Sequence, residues 1–134
     1  MTYKVGDRTA TFKITGLPAG ERAWALEQSR MQLGAEDELV YEDCQVAYNP
    51  NPVCATDDLV MTKQGNGMTI ENKSGKTLKN VCVYYKNRMS DGTFFGGITY
   101  MISFGELAPG VKMQKFTNHL GSESEVVRYS YQPA

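Results

Sequence analysis

The chain has 134 residues, with 14 Lys and Arg against 15 Asp and Glu and a formal net charge of −1. A chain of this size buries about two-thirds of its unfolded surface, so one domain with a core needs neither a metal nor several disulfides. No basic stripe points to nucleic acid, no polybasic amphipathic segment points to a membrane surface, and no apolar run is long enough to span a bilayer.

Residues Met1 to Arg8 lack the apolar stretch of a signal peptide. They read either as the start of a cytosolic protein or as a mature segment carrying an added start Met. Thr9 to Thr15 alternates as a strand does. Gly16-Leu17-Pro18-Ala19-Gly20 is a turn, because proline fixes φ and glycine permits positive φ. Arg22 to Met31 fits two templates. Its Ala, Leu, Glu and Met content suits a helix, whereas Trp24, Leu26 and Gln28 share a face at period two. Its shortness and the tight turn before it favour a strand. Gln32 to Glu38 is a polar connection, and Leu39 to Tyr41 a short strand.

Glu42 to Asp58 reads as a long loop containing Asn49-Pro50-Asn51-Pro52 and bracketed by Cys44 and Cys54. A disulfide between these two cysteines would close a small covalent loop and stabilise the fold by about 2–3 kcal/mol in the chain-entropy view. The competing reading is two reduced thiols in an intracellular protein. Cys82 lies in a strand and reads as a small buried apolar residue.

Leu59 to Thr62 pairs with Met68 to Ile70 across Lys63 to Gly67, where Asn66-Gly67 is a strong hairpin signal. The strand from Met68 ends at Asn72, before a Lys73-Ser74-Gly75-Lys76 turn. Val81 to Tyr85 has the β-branched and aromatic density of a packed strand. Asn87 to Gly92 is a polar loop. From Ile98 to Phe104 the large apolar residues fall on even positions. A Leu107-Ala108-Pro109-Gly110 turn, a strand over Lys112 to Thr117, a loop at Ser122 to Glu125 and a strand over Val126 to Tyr131 complete the chain. The predicted fold is therefore all-β: an Ig-like β-sandwich of about nine short antiparallel strands with no long helix. It forms a single domain over residues 1–134, with residues 49–58 the one candidate boundary. Leu-Pro-Ala-Gly near residue 17 and Leu-Ala-Pro-Gly near residue 107 read as the same turn chemistry used twice.

Catalytic and metal chemistry find little footing. His119 is the only histidine, and spacing brings it no triad or metal partner. The acidic groups Glu36-Asp37-Glu38, Glu42-Asp43 and Asp57-Asp58 do not follow calcium-loop spacing and read as solvated loop charge. No phosphate-loop signature opens a helix; Gly96-Gly97 instead marks a bulge or a close backbone approach. No cofactor and no metal are expected. Most aromatics read as core. The exception is Phe94-Phe95, since adjacent strand residues face opposite ways and one of the two is left outward. Tyr84, Phe94 and Phe95 are thus the candidate ligand-binding residues.

Ile70-Glu71-Asn72-Lys73-Ser74-Gly75-Lys76-Thr77-Leu78, followed by Val81-Cys82-Val83-Tyr84-Tyr85, resembles uncharacterised surface and lipoprotein ectodomains of Gram-positive gut bacteria. Gly97-Ile98-Thr99-Tyr100 and Leu107 to Gly110 extend the likeness, and the Asn-Ser-Gly-Lys opening is similar to FxLYD-type β-sandwich domains. The resemblance covers residues 68–134. Together with the all-β pattern and the expected Cys44–Cys54 bridge it gives the expectation of a non-catalytic extracellular or cell-surface module, structural or protein-binding; the aromatics Tyr84, Phe94 and Phe95 give the alternative, a carbohydrate or other small ligand. It implies a protein, cell-wall or carbohydrate partner, and no oligomeric state. Phe12 to Gly20 with Leu26-Glu27 resembles collagen-adhesin B-type repeats, in which a Lys and an Asn join in an isopeptide bond promoted by a Glu. Lys13 and Glu27 match two of those parts. The final strand, Val126 to Tyr131, departs from the pattern, having no Asn or Asp.

Overall fold

The computed structural model describes residues 1–29, 31–47 and 52–133. Among them the chain forms eleven strands and no helix. They are β1 (Thr2–Val5), β2 (Arg8–Thr11), β3 (Ala23–Trp24), β4 (Val40–Asp43), β5 (Leu59–Gln64), β6 (Gly67–Asn72), β7 (Leu78–Asn87), β8 (Phe94–Phe95), β9 (Tyr100–Leu107), β10 (Lys112–Phe116) and β11 (Ser124–Pro133).

Two three-stranded antiparallel sheets hold the core, in the orders β10-β6-β5 and β11-β7-β9. Alternation explains how. On β7, Val81, Val83 and Tyr85 point inward and are buried, while Cys82 and Tyr84 between them are half-buried. On β9, Ile102 and Phe104 are buried on the even positions that the sequence pattern marks. Leu59, Met68 and Ile70 from the first sheet join Leu78, Val81, Val83, Tyr85, Ile102, Phe104 and Leu107 from the second in one cluster. The predicted hairpin forms in the expected register, with Met61 opposite Ile70 and Thr62 opposite Thr69.

Asn72 ends β6 and is fully buried. Its side-chain amide donates to the carbonyls of Lys76 (2.6 Å) and Leu107 (2.8 Å), and its Oδ1 accepts from the Ser74 N–H at 2.9 Å. Its backbone N–H donates to Val111 and its carbonyl accepts from Gly110. One side chain thus joins the Lys73–Lys76 turn to the end of β9, and its own backbone holds the Pro109-Gly110 turn.

A third antiparallel sheet, β2-β1-β4, is formed near the N-terminus, and it is sparsely buried: Val5 and Ala10 are its buried apolar residues, and all of β4 is exposed. β1 was not anticipated; its Tyr3 sits edge-on to Phe12 and Tyr41. The Arg22–Met31 segment is strand only at Ala23–Trp24. Beyond it the Glu27 carboxylate accepts from Thr11 N–H, Ser29 Oγ–H and Met31 N–H, replacing a strand ladder with a side-chain cap. β3 pairs with β8 in parallel, so the strands are not all antiparallel as predicted.

The expected Cys44–Cys54 disulfide is not formed: Cys44, Cys54 and Cys82 are all free, the first two exposed. The two ends of that loop are tied to different sheets. Cys44 follows β4, whereas Cys54 follows Val53, which forms an isolated bridge to Tyr129 on β11. The expected Asn49-Pro50-Asn51 portion of the loop lies outside the described residues.

Two measurements check this organisation. Asn72→Ala takes the side-chain amide donor from the buried Leu107 carbonyl, while the exposed Lys76 carbonyl keeps the Ser74 hydroxyl, so the unfolding free energy in urea falls by about 2 kcal/mol with an unchanged denaturant slope. Thiol titration of the unfolded, unreduced protein returns three free thiols per chain, as the structure places them; a count of one would restore the bridge.

Candidate functional site

The predicted ligand residues separate into three environments. Phe94 is 1% exposed and lies beneath Arg88, whose guanidinium carbon sits 3.9 Å from the ring centroid. Arg88 is held there by Glu21 and Glu125 and donates to the Gly92 carbonyl at 2.6 Å. The two carboxylates raise its pKa, so it remains a cation. Phe94 is therefore core, and truncating it would open a cavity rather than a binding surface. Tyr84 lies elsewhere, on β7, under the Arg128 guanidinium.

Phe95 faces outward, and its partner was hidden from local sequence. The parallel pairing sets Ala23 beside Phe94 and Trp24 beside Phe95. Side chains alternate across each strand, so the inner pair is covered and the outer pair is not. Trp24 is 56% and Phe95 40% exposed. The backbone holds this arrangement: Gly96 N–H donates to the Trp24 carbonyl at 2.7 Å, and Phe94 N–H to the Arg22 carbonyl at 3.0 Å. The Trp24 indole Nε1–H donates to Asp91 Oδ2 at 3.3 Å, which fixes the ring orientation. Asp91 also accepts from the Thr93 N–H at 2.8 Å. That bond and the indole keep its carboxyl below the usual range, ionised at neutral pH and an acceptor only.

The chain matches no family model, no curated protein and no solved structure. The site is therefore read from its own chemistry.

Gly96 lets β3 and β8 approach. A Cβ on it would lie 2.8 Å from the Trp24 carbonyl oxygen and 3.0 Å from the Ala23 Cβ. The close backbone approach expected at Gly96-Gly97 is thus found at Gly96.

Beneath the same segment lies Lys86, which has no exposed surface. Its Nζ donates to the carbonyls of Thr15 (2.7 Å), Ile98 (2.6 Å) and Gly96 (3.3 Å) and to Thr99 Oγ1 at 3.0 Å. Among the described residues no carboxylate pairs with it. Burial pushes its pKa from 10.5 down to about 8, while the oxygen acceptors favour the charged form. Lys86 was not singled out from sequence. The available signal was its place on the Cys82, Tyr84 face of β7, opposite the face that builds the core. His119, the lone histidine, is exposed and stacks on Tyr100 at 4.6 Å. Among the described residues no cluster of three or more His, Cys, Asp or Glu side chains is formed.

Lys86→Met takes the ammonium donor from the Thr15 and Ile98 carbonyls, the Gly96 carbonyl keeping the Thr15 N–H, and lowers the unfolding free energy by on the order of 3 kcal/mol at pH 7. The native pKa of about 8 lies below the unfolded value of 10.5. Between those values the unfolded chain holds the proton that the native chain has released, so rising pH stabilises the native state through this group. The stability difference between wild type and Lys86→Met is flat below about pH 8 and widens from there to about 10.5. Taking the difference cancels the tyrosines Tyr85, Tyr129 and Tyr131, whose pKa values burial raises. Urea titrations at pH 7, 9 and 10 measure it.

Proposed function

We propose that this chain is a non-catalytic binding module of a bacterial surface protein, and that its contact surface is the Trp24–Phe95 pair. The observation that carries the reading is the exposure of two large aromatics on paired strands next to an ionised carboxylate. Two large aromatics exposed side by side form an apolar patch, the kind of surface that marks interaction sites. An aromatic face accepts the C–H face of a pyranose ring, and a fixed carboxylate accepts sugar hydroxyls. Carbohydrate is therefore the ligand class that fits best.

We read the two core sheets as an Ig-like sandwich, with β3 and β8 as an added lip. The support is the shared hydrophobic cluster and the antiparallel pairing within each sheet. Display outside the cell rests on the resemblance of residues 68–134 to surface ectodomains, since the unbridged cysteines give it no support.

A protein partner is favoured by a different observation. β4 is an edge strand, every residue of which is exposed, and it carries Val40 and Tyr41 at 54% and 59% exposure. An open edge with apolar side chains is suited to pairing with an added strand.

Trp24 is the only tryptophan, so it reports its own site. A glycan that binds shifts its fluorescence to the blue in a saturable way. Trp24→Ala and Phe95→Ala each weaken binding by about tenfold with an unchanged melting curve. A glycan array with no signal above background would remove the carbohydrate reading.

A further inference from the structure

We infer that the groove floored by Tyr84 and Arg128 is a second binding site, separate from the Trp24–Phe95 surface, and that it takes a small organic carboxylate with an apolar body. The inference does not depend on the function proposed above.

The groove has a volume of about 740 Å³, within the size range of small-molecule sites. Its wall is apolar where Leu17, Pro18, Ala19, Pro52 and Val127 line it. Arg128 is the only charged residue among the described residues that line it. No ion pair among the described residues uses Arg128. Its guanidinium carbon stacks 4.0 Å from the Tyr84 ring centroid. Stacking holds the fork in one orientation and leaves its N–H donors to be directed in-plane at an acceptor. A carboxylate matches that fork in charge and geometry.

The backbone builds this arrangement deliberately. β11 bulges between Val126 and Arg128, so that Arg128 rather than Val127 stands opposite Tyr84. The rim opposite is stiff. Gly16 has φ +54, and a Cβ there would lie 2.7 Å from Thr99 Oγ1, so no other residue fits without displacing Thr99. Thr15 and Thr99, which also line the groove, share a hydrogen bond of 2.9 Å and both hold the Lys86 ammonium. Lys86 thus fixes this rim from behind, and the one charge that the described lining offers to a ligand is that of Arg128.

Calorimetry with N-acetyl-leucine and its uncharged amide tests the inference on the wild-type chain. The acid binds saturably, and the amide binds about tenfold more weakly or not at all. Arg128→Gln reduces acid binding to the level of the amide, and Trp24→Ala leaves it unchanged. Equal binding of acid and amide, absence of saturable acid binding, or full affinity in a folded Arg128→Gln would overturn it. Cys54 lines the groove and supplies a readout that does not depend on the arginine variant folding. In a Cys44→Ser, Cys82→Ala background, saturating N-acetyl-leucine slows alkylation of Cys54 by iodoacetamide several-fold. An unchanged rate places the ligand elsewhere and refutes the assignment.

Discussion

The ammonium of Lys86 is the constraint on which the arrangement of the two candidate sites depends. It draws four oxygens from Thr15, Gly96, Ile98 and Thr99 onto one point of β7. Those residues flank both surfaces: Gly96 follows the outward Phe95, and Thr15 and Thr99 line the Arg128 groove. A hydrophobic residue there would bury more apolar area but would not orient three separate carbonyls. The lack of a carboxylate partner among the described residues makes the cage costly to assemble, since desolvation of the charge is offset only by dipoles.

The core beneath that layer obeys simpler rules. Alternating side chains on β7 and β9 fill one cluster with β5 and β6, and Asn72 fastens the strand ends by donating to the buried Leu107 carbonyl and to that of Lys76. The N-terminal sheet is joined differently. Its β2 is tied to the next segment by polar bonds, the Thr11 N–H to the Glu27 carboxylate and the Gln28 N–H to the Thr11 carbonyl, and few of its own residues are buried.

What was legible in the sequence follows from how local each signal is. The β5–β6 hairpin, the period-two apolar pattern of β9, and Asn72 ending a strand before a Ser-Gly turn are written within a few residues of each other. Trp24 and Leu26 are placed on one face by their spacing, but the strand ends at Trp24 and both are exposed, at 56% and 71%. Periodicity identifies a face without saying which side the protein is on. The parallel β3–β8 pair, the Lys86 cage and the bulge that sets Arg128 over Tyr84 each join residues distant in sequence, and no local pattern encodes them. The same limit explains the cysteines. Spacing suggested a closed loop, but the two ends are committed to separate sheets. Phe94 and Phe95 are both expected as ligand residues from sequence, yet Phe94 is buried and Phe95 outward, and the Arg88 lid and the Trp24 neighbour come from other segments.

The parallel pairing of β3 with β8 has a consequence for the order of assembly. Antiparallel neighbours such as β5 and β6 close through a short turn and form early, whereas Trp24 and Phe95 meet only after nearly the whole intervening chain has been placed. Contacts of such long sequence separation carry a large closure entropy and are made late. The aromatic pair is therefore completed late, and under the binding reading proposed above recognition would be withheld from nascent and partly opened molecules.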